Sequence, residues 1–498
     1  MNVNPITRLD YPDLDVIRVE DTYYMVSTTM HFMPGCEILQ SFDLVHWEHV
    51  TYVYETLDHT DAQQLKSGQN IYGQGMWAAS LRYHEGRFCI CFVANDTRKT
   101  YLYTSEKIDG PWKKQLIEGF YHDGSLLFDE DGRNYIVYGN DEIWITELNE
   151  DLTAPKKDGL HRLLVSDHKN PKLGYEGSHI QKINGYYYIF LVHSLRDRWM
   201  RTEACFYSDS LEGEFTGGDV LCDDRGYCGQ GVAQGGIVDT PDGKWYAMLF
   251  QDSGAVGRIP ILLPVTWKDH FPFFGQNGHV PEEIEVHSTR PGYIYQPLVG
   301  SDDFCNGLLP RWQFNHDPDP RYYHLDALQG TYTITTREVC TELTQAVNTL
   351  TQRMSYPSCA AEVTVDASAL KEGDVAGLCA LQSCYAAVGI TKHHGKYEVL
   401  MLDKKEDGIL DMTEGTVVES HQMDFRLEAD FCNMKDEARC YYRVNKGDWL
   451  PIGNVHKLYF KLDHFTGCRF GLFCYAAEET GGSACFRDFK YYDVDEIS

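Results

Sequence analysis

At 498 residues the chain is roughly two to four times the length of a typical domain, so two or more cores are expected. An apolar share of 43% beside 24% charged residues excludes a disordered chain. A formal net charge of −30 repels phosphate backbones and anionic lipid, which excludes nucleic acid and membrane surfaces as partners and leaves a neutral ligand.

The chain opens on Met1-Asn2-Val3-Asn4-Pro5-Ile6, without the basic and apolar stretch of a secretory signal. Its longest greasy pieces, such as Ile259-Pro260-Ile261-Leu262-Leu263-Pro264-Val265, are strand-length and too short to span a bilayer. The 16 cysteines are scattered with no CxxC pairing, and Cys89 and Cys91 alternate within one apolar run, as buried thiols on one strand face do. A cytoplasmic protein with reduced cysteines is the expectation.

A turn signal followed by an aromatic-rich strand recurs along the first part of the chain. The first copy is Val19-Glu20-Asp21-Thr22-Tyr23-Tyr24-Met25-Val26 and the second Tyr83-His84-Glu85-Gly86-Arg87-Phe88-Cys89-Ile90. Glu130-Asp131-Gly132-Arg133-Asn134-Tyr135-Ile136-Val137 is the third and Ile183-Asn184-Gly185-Tyr186-Tyr187-Tyr188-Ile189 the fourth. The fifth is Thr240-Pro241-Asp242-Gly243-Lys244-Trp245-Tyr246-Ala247. Asp-Gly, Asn-Gly and Glu-Gly supply the positive φ of tight hairpins. Intervals of roughly 45 to 65 residues are near what a four-stranded propeller blade needs. A plain antiparallel sandwich is the competing architecture for this part.

From Gly278 to Leu298 Pro, Glu and turn residues accumulate and read as a connector. Beyond Ser301 short alternating runs follow, such as Ala361-Glu362-Val363-Thr364-Val365 and Phe470-Gly471-Leu472-Phe473-Cys474-Tyr475, with no long amphipathic helix. The reading is an all-β protein: a five-bladed β-propeller over residues 1–295, then a β-sandwich of jelly-roll type over residues 303–498.

Stepping back about 11 residues from each aromatic strand, onto the start of the preceding strand, reaches Asp13, Trp77, Asp123, Glu176 and Gln234. The innermost strand of every propeller blade lines the central channel, so these positions should converge on one axis. Three carboxyl groups at the mouth of a funnel suit glycoside hydrolysis, where one protonates the leaving oxygen and another acts on the opposite face. Trp77 would give an apolar wall for a sugar face. Competing readings are turn-capping acids, Asp15 in place of Asp13, a polar plug at Gln234, and a calcium site, although no Asp-x-Asp-x-Asp-Gly loop is present.

At these residues the chain resembles glycoside hydrolase family 43, the β-xylosidase and α-L-arabinofuranosidase group. Tyr11-Pro12-Asp13-Leu14-Asp15-Val16-Ile17-Arg18 is similar to that family's opening motif, with Leu14 where a second Pro is usual. His122-Asp123-Gly124-Ser125-Leu126 and Tyr175-Glu176-Gly177-Ser178-His179 resemble its two other acid motifs, and residues 303–498 its concanavalin-like sandwich. The resemblance implies Asp13 as general base, Glu176 as general acid, and Asp123 as the residue that tunes and orients that acid. It also implies substrate contacts at Arg258, in Gly257-Arg258-Ile259-Pro260, and at Trp77. Many members carry His where Gln234 stands, and in some that His helps hold a central ion; no cofactor is required here, and a structural calcium is left in doubt.

The expected activity is inverting, exo-acting release of xylose or arabinose, with the two carboxyl groups roughly 6.5–9.5 Å apart. A non-catalytic carbohydrate-binding propeller and an endo-arabinanase are the alternatives. Oligosaccharide is the expected partner, and self-association is open. Met30, His31 and Phe32 are expected to shape the pocket, and the choice between the two pentoses rests on such loops.

Overall fold

The structure is a computed structural model that describes residues 2–493, and it is built almost wholly from strands. Five four-stranded antiparallel sheets come first, as expected of a five-bladed propeller. Blade 1 runs Asp15–Val19, Thr22–Ser27, Gly35–Ser41 and Glu48–Tyr54; blade 2 runs Met76–His84, Arg87–Ala94, Lys99–Ser105 and Lys113–Ile117. Blade 3 is Ser125–Phe128, Asn134–Asn140, Glu142–Leu148 and His161–Ser166. Blade 4 is Glu176–Ile183, Tyr186–Ser194, Arg201–Ser208 and Thr216–Leu221, and blade 5 is Val232–Asp239, Trp245–Asp252, Arg258–Lys268 and Phe271–Phe274. The turns behave as their residues dictate: Glu85-Gly86 and Asn184-Gly185 take positive φ at both positions (48° and 77°, 52° and 85°).

The cores lie between blades. Along Asn134–Asn140, Tyr135 and Val137 pack with Ile189 and Leu191 of blade 4, while Ile136 between them packs with Cys91 and Leu102 of blade 2. Alternate residues thus face opposite neighbours, and both faces are dry. Burying each such Ile or Leu contributes about 1.5–3 kcal/mol. The ring closes without a shared blade. Asn2–Val3 pairs with Glu283–Ile284, the Asn4 amide donates to Leu262 O (2.8 Å) and Pro281 O (2.9 Å), and Tyr11 N–H donates to Arg258 O (3.0 Å).

The second domain is two packed sheets of nine and seven strands among the described residues. Its core includes Ala255, Val256 and Ile259 of the propeller, so the two domains share buried apolar surface. The nine-stranded sheet ends on a strand that is not its own. Phe32–Met33, from the loop after the second strand of blade 1, pairs with Gln313–Asn315 in the register Phe314↔Met33 and Asn315↔Phe32. Buried charge crosses the same boundary: Arg353 Nη1 lies 2.8 Å from Glu37 Oε2, and Arg353 Nε donates to Asp10 O (2.9 Å). All sixteen cysteines are free thiols, and no helix among the described residues is long and apolar enough to cross a membrane.

Candidate active site

The innermost strands begin with a repeated backbone kink. Positive φ recurs at Asp13 (50°), Ala78 (22°), Asp123 (47°), Gly177 (65°) and Gln234 (67°). Each stands two residues before the inner ladder becomes regular, at Asp15, Ser80, Ser125, His179 and Gly236. In blades 2, 4 and 5 that kink is a β-bulge. The common level expected from sequence needs correction by one residue in two blades. Asp13, Asp123 and Gln234 share it, whereas Trp77 and Glu176 each precede it, and Ala78 and Gly177 hold it. Left-handed backbone at a non-glycine residue costs about 1–2 kcal/mol, and such strain gathers where geometry serves function.

These kinks bring the three acids together. Asp13, 8% exposed, has its Oδ1 3.0 Å from Arg258 Nη1. Asp123 accepts a hydrogen bond from Gly177 N–H (3.0 Å), which fixes the backbone beside Glu176. Glu176 Oε2 accepts from Asn140 Nδ2 at 2.7 Å. His122 sits between two of them, its Nε2 3.6 Å from both Asp123 Oδ2 and Glu176 Oε2.

The charges are arranged unequally. The Asp123 carboxylate, helped by Glu176 and Asp13, pushes the His122 imidazole up to about 9 against the opposing effect of burial. Burial raises the Asp123 carboxyl to about 6; His122 opposes the rise while the charges of Glu176 and Asp13 add to it. Asp123 therefore feels the charge of both other acids. His122, Asp123 and Glu176 are also the one group among the described residues whose atoms, within 4.8 Å of one another, could gather on a metal ion.

Deeper in the channel the next level is closed. Asp15 Oδ2 meets Arg82 Nη1 (2.6 Å) and Leu81 N–H (2.8 Å), and Asp15 Oδ1 meets His179 Nδ1 (3.1 Å). Burial would raise the Asp15 carboxyl, but Arg82 and His179 hold it down at about 2. Arg82 goes on to Ser125 Oγ (2.7 Å) and Leu126 O (2.8 Å), knitting blades 1, 2, 3 and 4. With both oxygens of Asp15 engaged and a guanidinium on one, this donor set does not fit a calcium ion. It also separates Asp15 from Asp13: the first is a buried strut, the second faces the funnel.

The walls come from both domains. Phe465 of the sandwich lies with its ring 4.4 Å from Arg258 Cζ and 5.5 Å from the Trp77 ring, and its carbonyl accepts from Arg258 Nη2 (3.3 Å). The Trp77 indole N–H has no hydrogen-bond partner among the described residues. Gln234 is 5% exposed, and its side chain lies so close to Gly177 that a Cβ there would come within 2.8 Å of it. Phe32 is not on this surface. It is 2% exposed, with Arg469 Cζ 3.5 Å from its ring, because its strand is absorbed into the sandwich sheet.

Residues 3–272 match the model of glycosyl hydrolases family 43. The chain belongs to that family. Residues 301–492 match the beta xylosidase C-terminal concanavalin A-like domain, so this family-43 chain is a glycoside hydrolase carrying the concanavalin-like sandwich. It is 42% identical to a bifunctional GH43-CE protein of Bacteroides eggerthii, with a TM-score of 0.92, covering 99% of this chain and 64% of that one. A beta-xylosidase of Formosa agariphila is 26% identical, over 99% of this chain and 89% of the relative. A non-reducing end alpha-L-arabinofuranosidase of Bacteroides ovatus is 23% identical, over 82% and 79%.

Four residues of this family-43 site escape a reading by repeat. His122 and Asn140 flank the acids in chain and space, and His122 stands inside a motif already picked out, so adjacency was the available signal. Glu203 is fully buried and accepts Gln234 N–H (2.7 Å); burial keeps its carboxyl protonated well above the usual range. Its only sequence sign is a lone acid in the strand Arg201–Ser208. Phe465 has none, since nothing local ties it to a funnel formed by residues hundreds of positions earlier.

Proposed function

We propose that the chain is an exo-acting, inverting glycosidase that removes xylose or arabinose from the non-reducing end of xylo- or arabino-oligosaccharides. The observation that carries this reading is geometric: Asp123 and Glu176 lie on either side of His122 Nε2, 3.6 Å from each, Asp123 holds Gly177 N–H, and Asp13 is held by Arg258 at 3.0 Å. Asp13, oriented by Arg258, would take a proton from the attacking water. Glu176, held by Asn140, would deliver one to the departing oxygen through an oxocarbenium-like transition state. Asp123 would orient the acid through Gly177 N–H, and Trp77 and Phe465 would wall the sugar. No step calls for a metal. The names of the relatives, beta-xylosidase and alpha-L-arabinofuranosidase, support the pentose class, and the Phe465 loop across one side supports end-on attack. Sixteen free thiols support a cytoplasmic location.

Time-resolved NMR of products from xylo- and arabino-oligosaccharides tests the proposal. Single pentoses released from chain ends, with the anomer opposite to that of the substrate appearing first, are expected. A retained anomer, internal cleavage, or binding without release sinks it.

A further inference from the structure

We propose that Tyr72 of the propeller and His464 of the sandwich form a clamp between domains that positions Phe465, and through it the Arg258–Asp13 pair. This rests on the hydrolase reading of the funnel. The two rings are stacked, with centroids 3.9 Å apart and planes 1° from parallel. Tyr72 belongs to the loop before blade 2, yet its hydroxyl is committed to the sandwich: it donates to Thr344 O (2.6 Å) and accepts from Asn315 Nδ2 (2.7 Å). His31 and His316 meet the same ring edge-on, at 4.7 and 4.5 Å. His316 Nε2 accepts Ile71 N–H (3.0 Å), which fixes the neighbouring backbone. At Gly73, φ 65°, a Cβ would meet Asp463 O at 2.7 Å and Leu462 O at 2.9 Å, so the two loops touch backbone to backbone.

The sandwich segment 459–467 is thereby pinned at one end by Tyr72. At the other end Asp10 of the propeller accepts Gly467 N–H (2.8 Å) on one oxygen and Arg258 N–H (2.8 Å) on the other. Phe465 stands between the two pins, in left-handed backbone (φ 56°), giving Arg258 both a ring face and a carbonyl. Arg258 in turn reaches Asp13 at 3.0 Å. Neither Tyr72 nor His464 contacts Asp13, Asp123 or Glu176; they act through Phe465 and Arg258. A displacement of about 1 Å at the far end of such a chain costs up to about 100-fold in rate.

The test uses the full chain with Tyr72→Leu and His464→Leu, each alone and combined with Phe465→Ala, against nitrophenyl xyloside and arabinofuranoside. Each Leu variant should lower kcat/KM about tenfold or more, in kcat through the misplaced base and in KM through the displaced Phe465 wall. In the Phe465→Ala background the same changes should add little, since nothing is left to position. Tyr72→Phe and His464→Phe, which keep the stacked rings, should recover most of the loss and control for misfolding. Unimpaired Leu variants, or losses that simply add to that of Phe465→Ala, overturn the proposal. Hydrogen exchange over 459–467 gives a readout without substrate. Exchange should quicken in Tyr72→Leu, and unchanged exchange also overturns the clamp. Absence of hydrolysis by the unmodified enzyme on both glycosides defeats the functional reading instead, and exchange then decides the clamp.

Discussion

In the funnel, His122 keeps its proton because Asp123, Glu176 and Asp13 surround it; where the propeller meets the sandwich, His31, His316 and His464 lose theirs. Burial holds His464 down at about 3, with Lys404 and Lys461 adding to that effect and Asp463 opposing it. Burial pushes His31 and His316 well below the ordinary range, with His316 and His464 adding to it at His31 and His464 at His316. His31, His316 and His464 are buried, whereas His122 keeps 22% of its side chain exposed. Burial and company both differ: acids on one side, rings and cations on the other. His122 is thus kept charged among the funnel acids, whereas the three interface histidines are kept neutral and packed as aromatic surface.

The largest effect is expected at the carboxylates. Asp13→Ala and Glu176→Ala should each lose about two or more orders of magnitude in kcat/KM, with Glu176→Ala least impaired on glycosides with good leaving groups. Near-normal steady-state turnover by either variant would remove the acid–base assignment. Loss of more than the ordinary amount of fold stability in those variants is not expected, and thermal melts check it.

Next in size is the dependence of stability on pH. His464 binds its proton far more weakly folded than unfolded, so its contribution is intact above about pH 6.5 and fades as pH falls towards 3, by on the order of a few kcal/mol. His122 has the opposite sign. Its proton is bound more tightly in the folded state, so that contribution is intact below about pH 6.5 and is lost as pH rises through 9. Urea titrations across pH should therefore show His464→Phe flattening the acid limb and His122→Gln the alkaline limb. The reverse assignment of limbs contradicts the picture.

The smallest effect is at Glu203, the buried acid that belongs to the funnel in position and to the interface in charge state. Because its carboxyl is neutral, Glu203→Gln should change kcat/KM by less than about threefold. Glu203→Ala should cost about 1–3 kcal/mol by leaving Gln234 N–H without its acceptor. Equal damage by both substitutions, read by denaturation and initial rates, argues that the carboxyl is ionised.

Much of the molecule was legible in one dimension. The five hairpins announce themselves because Glu85-Gly86 and Asn184-Gly185 carry their own turn geometry. Strands such as Asn134–Asn140 are apolar on both faces because blades cover both sides. Asp13, Asp123 and Glu176 could be picked out since repeats place equivalent residues on one axis. Trp77 and Glu176 each stand one residue before the common level, a single-residue offset that a step of about 11 residues does not resolve. Phe32 was misjudged for another reason: a sandwich strand three hundred residues later captures it as an edge.

Local chemistry alone, then, determined the strands, their turns, the repeat and the three acids, since each depends on residues near one another in the chain. Tertiary packing decided that Arg258 is the partner of Asp13, that Arg82 and His179 seal the channel on Asp15, and that Phe465 walls the funnel. Those contacts join segments whose nearness is set by ring closure and domain docking, and the geometry of such closures is a property of the whole fold rather than of any stretch within it.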